Sequence, residues 1–368
     1  MIDFSIRVAG KLIRFKSEGP LLSYNPRSER EFAPFLRQGP KRADITFDIK
    51  YGSIPDFSGK EVLFDVDKSW SLSRYGEKIL FEYPDRSLQG RVERTAEINK
   101  DMTEGVIYIN REKTKEEEEE SRRQRELQRT EEDKKRQEER KKRAEERRAL
   151  RAAQGTPNDS VATLTKEAPK MRKPKKKTPE ELGRKVMSEV KANFFQAFLV
   201  EYLVRQKTGF LAHCASVQSD KKLYLFMGQS HTGKSTIADF WHMKAGATVF
   251  NDDRAIIAVK NGSPRFHNAP WVGTLVDKCD LGNGDGTEVN GIFFLNQQDK
   301  NTLRRIGKAE AAAKIFRNSF PVFWEKSALS YVLGLCSAIS RSVPCYDLGF
   351  VNNDSVVTFL KKELKKPA

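Results

Sequence analysis

Nine consecutive residues, Gly228-Gln229-Ser230-His231-Thr232-Gly233-Lys234-Ser235-Thr236, constrain this chain more than any other stretch. They fit G-x-x-x-x-G-K-[ST] at every fixed position. The apolar run Leu223–Met227 enters them as a strand does, and Ile237–Met243 can continue them as a helix. A loop in this context offers an anion its backbone N–H groups and a helix N-terminus. In such a loop the lysine, here Lys234, reaches the β- and γ-phosphates, and the next hydroxyl, Ser235, ligates Mg²⁺. All nine residues are therefore expected to line the site of a nucleoside triphosphate, ATP first and GTP second.

At 368 residues the chain exceeds one ordinary core. Its 32% of charged residues is high for a compact globule, but the excess is local. Residues 111–185 hold 26 Lys/Arg against 18 Asp/Glu, half of the net charge of +16. Cys214, Cys279, Cys336 and Cys345 show no C-x-x-C spacing, which argues against a zinc knuckle or a disulfide framework and fits a reducing cytoplasm. No apolar run approaches the roughly 18 residues of a membrane span. The N-terminus carries Asp3 and lacks the apolar core of a signal peptide, so a cytoplasmic location is expected.

Three segments follow from the patterning. Residues 1–110 read as a β-rich recognition or assembly domain, with alternating runs at Phe4–Val8 and Ile45–Ile49 and a hairpin about Arg74-Tyr75-Gly76-Glu77. Residues 111–180 read as a long charged helix and a flexible basic linker. The helix lacks apolar heptads but carries Glu four residues before a base, as in Glu118/Arg122 and Glu139/Arg143. The linker's Lys170–Lys177 cluster can dock phosphates, yet no aromatic accompanies it for stacking on bases, so nucleic acid is a minor expectation. Residues 181–368 hold the loop and open on a helix with apolar spacing at Val186, Val190, Phe194, Phe195, Phe198, Leu199 and Tyr202.

Around the loop the expectations are specific. Gly209–Val217 should pair with Leu223–Met227 as a hairpin, and an Asp220-Lys221 turn sets His213 opposite Gly228. Downstream, Gly246-Ala247 ends the helix and the strand Thr248–Asn251 delivers Asp252, Asp253 and Arg254. A metal-assisted phosphoryl transfer needs one acid for Mg²⁺ and one to accept a hydroxyl proton, and two adjacent carboxylates can divide those duties. Asp280–Gly286 lacks the spacing of a calcium loop and reads as a turn or lid.

A His-bearing strand, a hairpin into Gly228–Thr236, a helix and then Asn251-Asp252-Asp253-Arg254 together resemble the HPr kinase/phosphorylase family, within the phosphoenolpyruvate-carboxykinase-like fold. The likeness spans about 183–360. It implies a mixed α/β sheet carrying the loop, beside the β-rich N-terminal domain and the charged helix. It also implies Asp252 as the base, Asp253 with Ser235 on Mg²⁺, His213 supporting the reacting phosphoryl group, and homo-oligomers. The glycine- and arginine-rich signature that accompanies phosphorolysis has no match, and His231 and Thr232 replace smaller loop residues. The expected activity is transfer of the γ-phosphoryl group of ATP to a hydroxyl, foremost a serine, of a protein, peptide or metabolite. A nucleotide hydrolase acting as a conformational switch and a nucleotide-binding scaffold are the alternatives.

Overall fold

The computed structural model describes residues 2–17, 30–38, 42–66, 69–84, 92–110 and 194–365, together with Glu119, Arg122, Arg123, Glu126, Leu127 and Thr130. Those six residues of the charged segment are helical, and Arg122 meets Glu126 one turn on at 3.4 Å. The rest of the expected charged helix, the basic cluster and the helix start at 181–193 lie outside the described residues.

The chain folds as a mixed α/β protein with two mixed sheets. The first has nine strands: β1 (Ile2–Val8), β2 (Lys11–Ser17), β3 (Leu36–Gln38), β4 (Ile45–Tyr51), β5 (Glu61–Val66), β6 (Trp70–Tyr75), β7 (Lys78–Pro84), β8 (Val92–Ile98) and β9 (Glu104–Ile109). Their order is β3-β1-β2-β4-β9-β8-β7-β6-β5, parallel only at β2/β4 and β4/β9. The hairpin read at Arg74–Glu77 is present, with Tyr75 paired to Lys78. Alternation in β4 buries Ile45, Phe47 and Ile49 on one face, as period-2 patterning requires.

Helix α1 (Phe194–Arg205) is apolar on nearly all sides because it lies between the sheets. Phe198 and Phe194 meet the ring of Phe47 edge-on at 5.0 and 5.5 Å, while Phe195 lies 5.6 Å from Trp271 in the second layer. One hydrophobic cluster therefore runs from Phe4 through α1 to Phe266 and Ile339.

The second sheet contains β10 (Phe210–Ser219), β11 (Lys222–Met227), β12 (Thr248–Asn251), β13 (Arg254–Lys260), β14 (Ser263–Asn268), β15 (Thr287–Gln297), β16 (Thr302–Arg305) and β17 (Cys345–Phe350). Strand β10 belongs to two layers: residues 210–213 pair with β13, and 214–219 pair with β11. On the loop-bearing layer β11 lies between antiparallel β10 and parallel β15, and β15 is followed by β17 and β16. In β11, Leu223, Leu225 and Met227 face the cluster around α1, whereas Tyr224 and Phe226 face a second core. That core is built on helices α2 (Lys234–Ala245) and α5 (Ser355–Glu363). Helices α3 (Lys308–Arg317) and α4 (Lys326–Ser342) cover the first face. Among the described residues no helix is long and apolar enough to cross a membrane.

Truncation of the fully buried Phe195 to Ala removes the ring that meets Phe15 of the first sheet and Trp271 of the second layer. The expected cost is about 3–5 kcal/mol, read as a lowered midpoint in chemical denaturation.

Candidate functional site

The hairpin register places the site. Asp220 and Lys221 both adopt positive φ, +52° and +62°, the geometry of a two-residue turn matched to strand twist. Cys214 then pairs with Met227 and Ser219 with Lys222, so His213 arrives beside the start of the loop. There β10 changes partner and His213 pairs with Arg254 of β13. The His213 amide donates to the Asn318 carbonyl at 2.7 Å, and the Cys214 amide donates to the Asp253 carbonyl at 3.1 Å.

The segment Gly228–Gly233 bridges β11 and α2. Two glycines are sterically required. A Cβ on Gly228 would come within 2.4 Å of Thr232 Oγ1, and one on Gly233 (φ +96°) within 2.6 Å of the Phe350 ring. Ser230 and His231 sit exposed at the tip, His231 at φ +66°. Thr232 Oγ1 donates to the Gln229 carbonyl at 2.8 Å. Lys234 is buried, and its ammonium donates to the Gly228 and Gln229 carbonyls at 2.9 and 2.8 Å. Burial lowers its pKa, against the opposing pull of Asp253. Ser235 and Thr236 open α2, and Ser235 Oγ lies 3.5 Å from the Asp252 carbonyl.

The two acids, adjacent in sequence, occupy opposite environments. Asn251 Oδ1 accepts from the Asp253 and Arg254 amides at 3.0 and 3.1 Å, and this side-chain-closed turn throws successive side chains apart. The Asp252 carboxylate is buried and accepts from the Gly273, Thr274 and Leu275 amides at 2.7, 2.9 and 3.2 Å. A Cβ on Gly273 would lie 2.6 Å from Asp252 Oδ2, so only glycine permits this approach.

Asp253 remains partly accessible. Its Oδ1 is 3.2 Å from His213 Nε2, and its Oδ2 is 3.6 Å from Arg254 Nε. Burial pushes its pKa up, but the His213 hydrogen bond and the charges of Arg254, His213 and Lys234 outweigh that and hold it below the ordinary 3.8. Arg254 is itself boxed between Trp271 and Phe320, 5.8 and 5.4 Å from the ring centres.

His213, Asp253, Arg254 and the loop thus converge, while Asp252 acts on the backbone of residues 273–275. The turn-closing role of Asn251 was missed, although an Asn at a strand end is a turn signal that could have marked it; the Gly273–Leu275 clamp leaves no signal in spacing. For Mg²⁺, the partly accessible Asp253 carboxylate and the Ser235 hydroxyl are hard oxygen donors of the right class, and Mg²⁺ takes few protein ligands beside phosphates and water. Among the described residues no cluster of three or more His, Cys, Asp or Glu forms a closed metal cage. The Asp280–Gly286 segment is an anchored turn: Asp285 accepts from the Asn268 amide at 2.7 Å, and Asn283 Nδ2 donates to Asp280 at 3.0 Å.

Asp252→Asn is expected to cost about 1–3 kcal/mol, because an amide NH₂ then faces backbone donors. Asp253→Asn leaves neutral-pH stability less changed. Its signature is on the acid limb: with a folded pKa below 3.8, Asp253 contributes stability above that value and loses it as pH falls through the lower folded pKa. Urea midpoints of the three proteins against pH separate the two roles.

Residues 187–349 match the family model described as "ScmC: SynChlorMet cassette protein ScmC". Among solved structures, the Hpr(Ser) kinase/phosphatase from Coxiella burnetii is similar to 42% of this chain and 99% of its own, at 12% identity and a TM-score of 0.24. Overlap that low establishes neither fold nor activity. No curated protein matches.

Proposed function

We propose that this chain is an ATP- and Mg²⁺-dependent phosphotransferase of the HPr-kinase-like type. It passes the γ-phosphoryl group to a hydroxyl, foremost a serine of a protein or peptide, with a small metabolite as the other acceptor class. The observation that carries this reading is the placement of His213, Asp253 and Arg254 beside Gly228–Thr236 by the hairpin register. Phosphoryl transfer asks chiefly for positioning and charge stabilisation, and these groups supply both.

In this proposal the loop amides and Lys234 hold the triphosphate, and Lys234 exchanges its loop carbonyls for phosphate oxygens. Ser235 would hold Mg²⁺ directly and Asp253 through a water molecule, which leaves an Asp253 oxygen for the acceptor's proton, and the ion would offset phosphate charge. The acceptor oxygen forms a bond to the γ-phosphorus as the bond to the bridging oxygen breaks, and ADP leaves. The acceptor's proton passes to Asp253. The duty of base thus falls to Asp253 rather than Asp252, because the Asp252 carboxylate is already committed to three amides. His213 keeps Asp253 oriented and ionised, and Arg254 offsets the negative charge gathered there.

The proposal includes the division into a recognition domain at 1–110, a charged connector at 111–180 and a catalytic domain at 181–368, working in the cytoplasm and able to self-associate. Substrate contact by the first sheet belongs to the same proposal, and the core it shares with α1 holds it against the loop-bearing sheet.

Incubation with γ-labelled ATP and cell lysate tests the reading. Lys234→Ala is expected to abolish labelled acceptors, and Asp253→Asn to slow labelling by about a hundredfold to ten-thousandfold, the span of general-base effects. Label released only as free phosphate would point to a hydrolase. Undiminished transfer by Lys234→Ala would sink the proposal.

A further inference from the structure

A groove of about 410 Å³ lies where the edge of the first sheet, helix α1 and residues 319–324 between α3 and α4 meet. Aromatic rings shape it: Phe64 and Trp70 of the sheet close on Trp324, with ring centres 4.7 and 6.2 Å from it. Val66 and Phe323 stand at its rim, 36% and 59% exposed. No charged side chain lines it. Large apolar groups gathered in the open in this way mark a surface that a partner covers.

We infer that this groove docks an extended segment of the acceptor polypeptide and takes one of its large apolar side chains, beside the serine that reacts; the deduction rests on the function proposed above. Continuity with the reaction site carries the argument. Phe320 forms part of the groove wall, and its ring centre also lies 5.4 Å from the Arg254 guanidinium carbon and 6.4 Å from the His213 ring centre. The backbone fixes that position. The Phe320 amide donates to the Leu211 carbonyl at 2.9 Å, and the Asn318 carbonyl accepts from the His213 amide at 2.7 Å. A chain lying in the groove is therefore led past Phe320 to His213, Asp253 and Arg254.

The sheet edge suits an extended occupant. Strand β5 is last in the strand order and pairs only with β6 among the described residues. An edge strand keeps a row of main-chain donors and acceptors available to an added strand. Phe64 and Val66, two residues apart on β5, both line the groove, as alternation along a strand requires. The bulge between Val62 and Phe64 confines regular pairing at the groove to Phe64–Val66. An uncharged, aromatic lining does not fit nucleic acid, whose phosphates call for cations.

An oriented library of synthetic serine peptides, incubated with γ-labelled ATP, Mg²⁺ and the full chain, tests the inference. Val66→Lys and Phe323→Glu place charge at the exposed rim, and melting curves with ATP titrations confirm that each variant is folded and binds nucleotide. Wild type is expected to select Trp, Phe, Tyr or Leu at one position flanking the serine by about tenfold, the scale of burying one large apolar side chain. Each variant should lose that selection while labelling peptides without the side chain as wild type does. Even labelling across the library by wild type, selection that survives in either variant, or an equal slowing of all peptides overturns the inference and leaves the phosphotransferase reading standing. So does Lys234-dependent label that appears in cell lysate but in no library peptide, because the acceptor is then not an extended segment. Absence of Lys234-dependent transfer to library and lysate alike removes the phosphotransferase reading itself, and the inference with it.

Discussion

The site depends on one side chain, that of buried Asn251. By accepting from the amides of Asp253 and Arg254 it closes a tight reversal at the end of β12, and through Nδ2 it ties that reversal to the Ala269 carbonyl at 2.9 Å. Ser216 of β10 anchors the same residue through the Asn251 carbonyl at 3.2 Å. Every polar group of the side chain is thereby used, as burial demands. The consequence is chemical. Two neighbouring carboxylates that would repel each other at close range are sent to different places, one into a nest of amides and one toward His213.

That separation gives the two acids of one motif different surroundings. Asp252 stabilises the segment that carries Trp271 and Gly273, and Trp271 in turn forms one face of the box around Arg254. Asp252 is thus engaged by the 273–275 segment, whereas Asp253 faces His213 and Arg254. The same division follows from geometry: three backbone N–H groups take most of the acceptor sites of the Asp252 carboxylate.

Much of the layout was legible in the residues because it rests on local rules. The Asp220-Lys221 turn fixed the register of β10 against β11, and with it the arrival of His213 at the loop. Gly246 ends α2 as expected, and it does so as a left-handed cap at φ +59°. The paired strands β13 and β14 turn at Asn261-Gly262, a dipeptide suited to two successive positive φ values. What stayed hidden depends on contacts between distant segments. The amides of 273–275 recognise Asp252 from more than twenty residues away. Arg317, Asn296 and Asp347 meet only because α3, β15 and β17 converge. Neither periodicity nor a motif encodes such meetings.

The hairpin entry into the loop has a structural consequence that a parallel β-α-β entry would not have. Strand β10 is shared by two layers, and its first residues, Phe210 and Leu211, lie in the same cluster as Phe195 and Phe198 of α1. His213 follows Leu211 by two residues on a strand whose every backbone partner is specified, from Ile257 to Lys222. Close-packed interiors transmit displacement instead of absorbing it. A shift of α1 against the nine-stranded sheet must therefore either repack the aromatic rings around Phe47 or move β10, and β10 carries the residue that orients Asp253. The placement of His213 and Asp253 is thus tied to the first sheet by covalent chain and by core packing together.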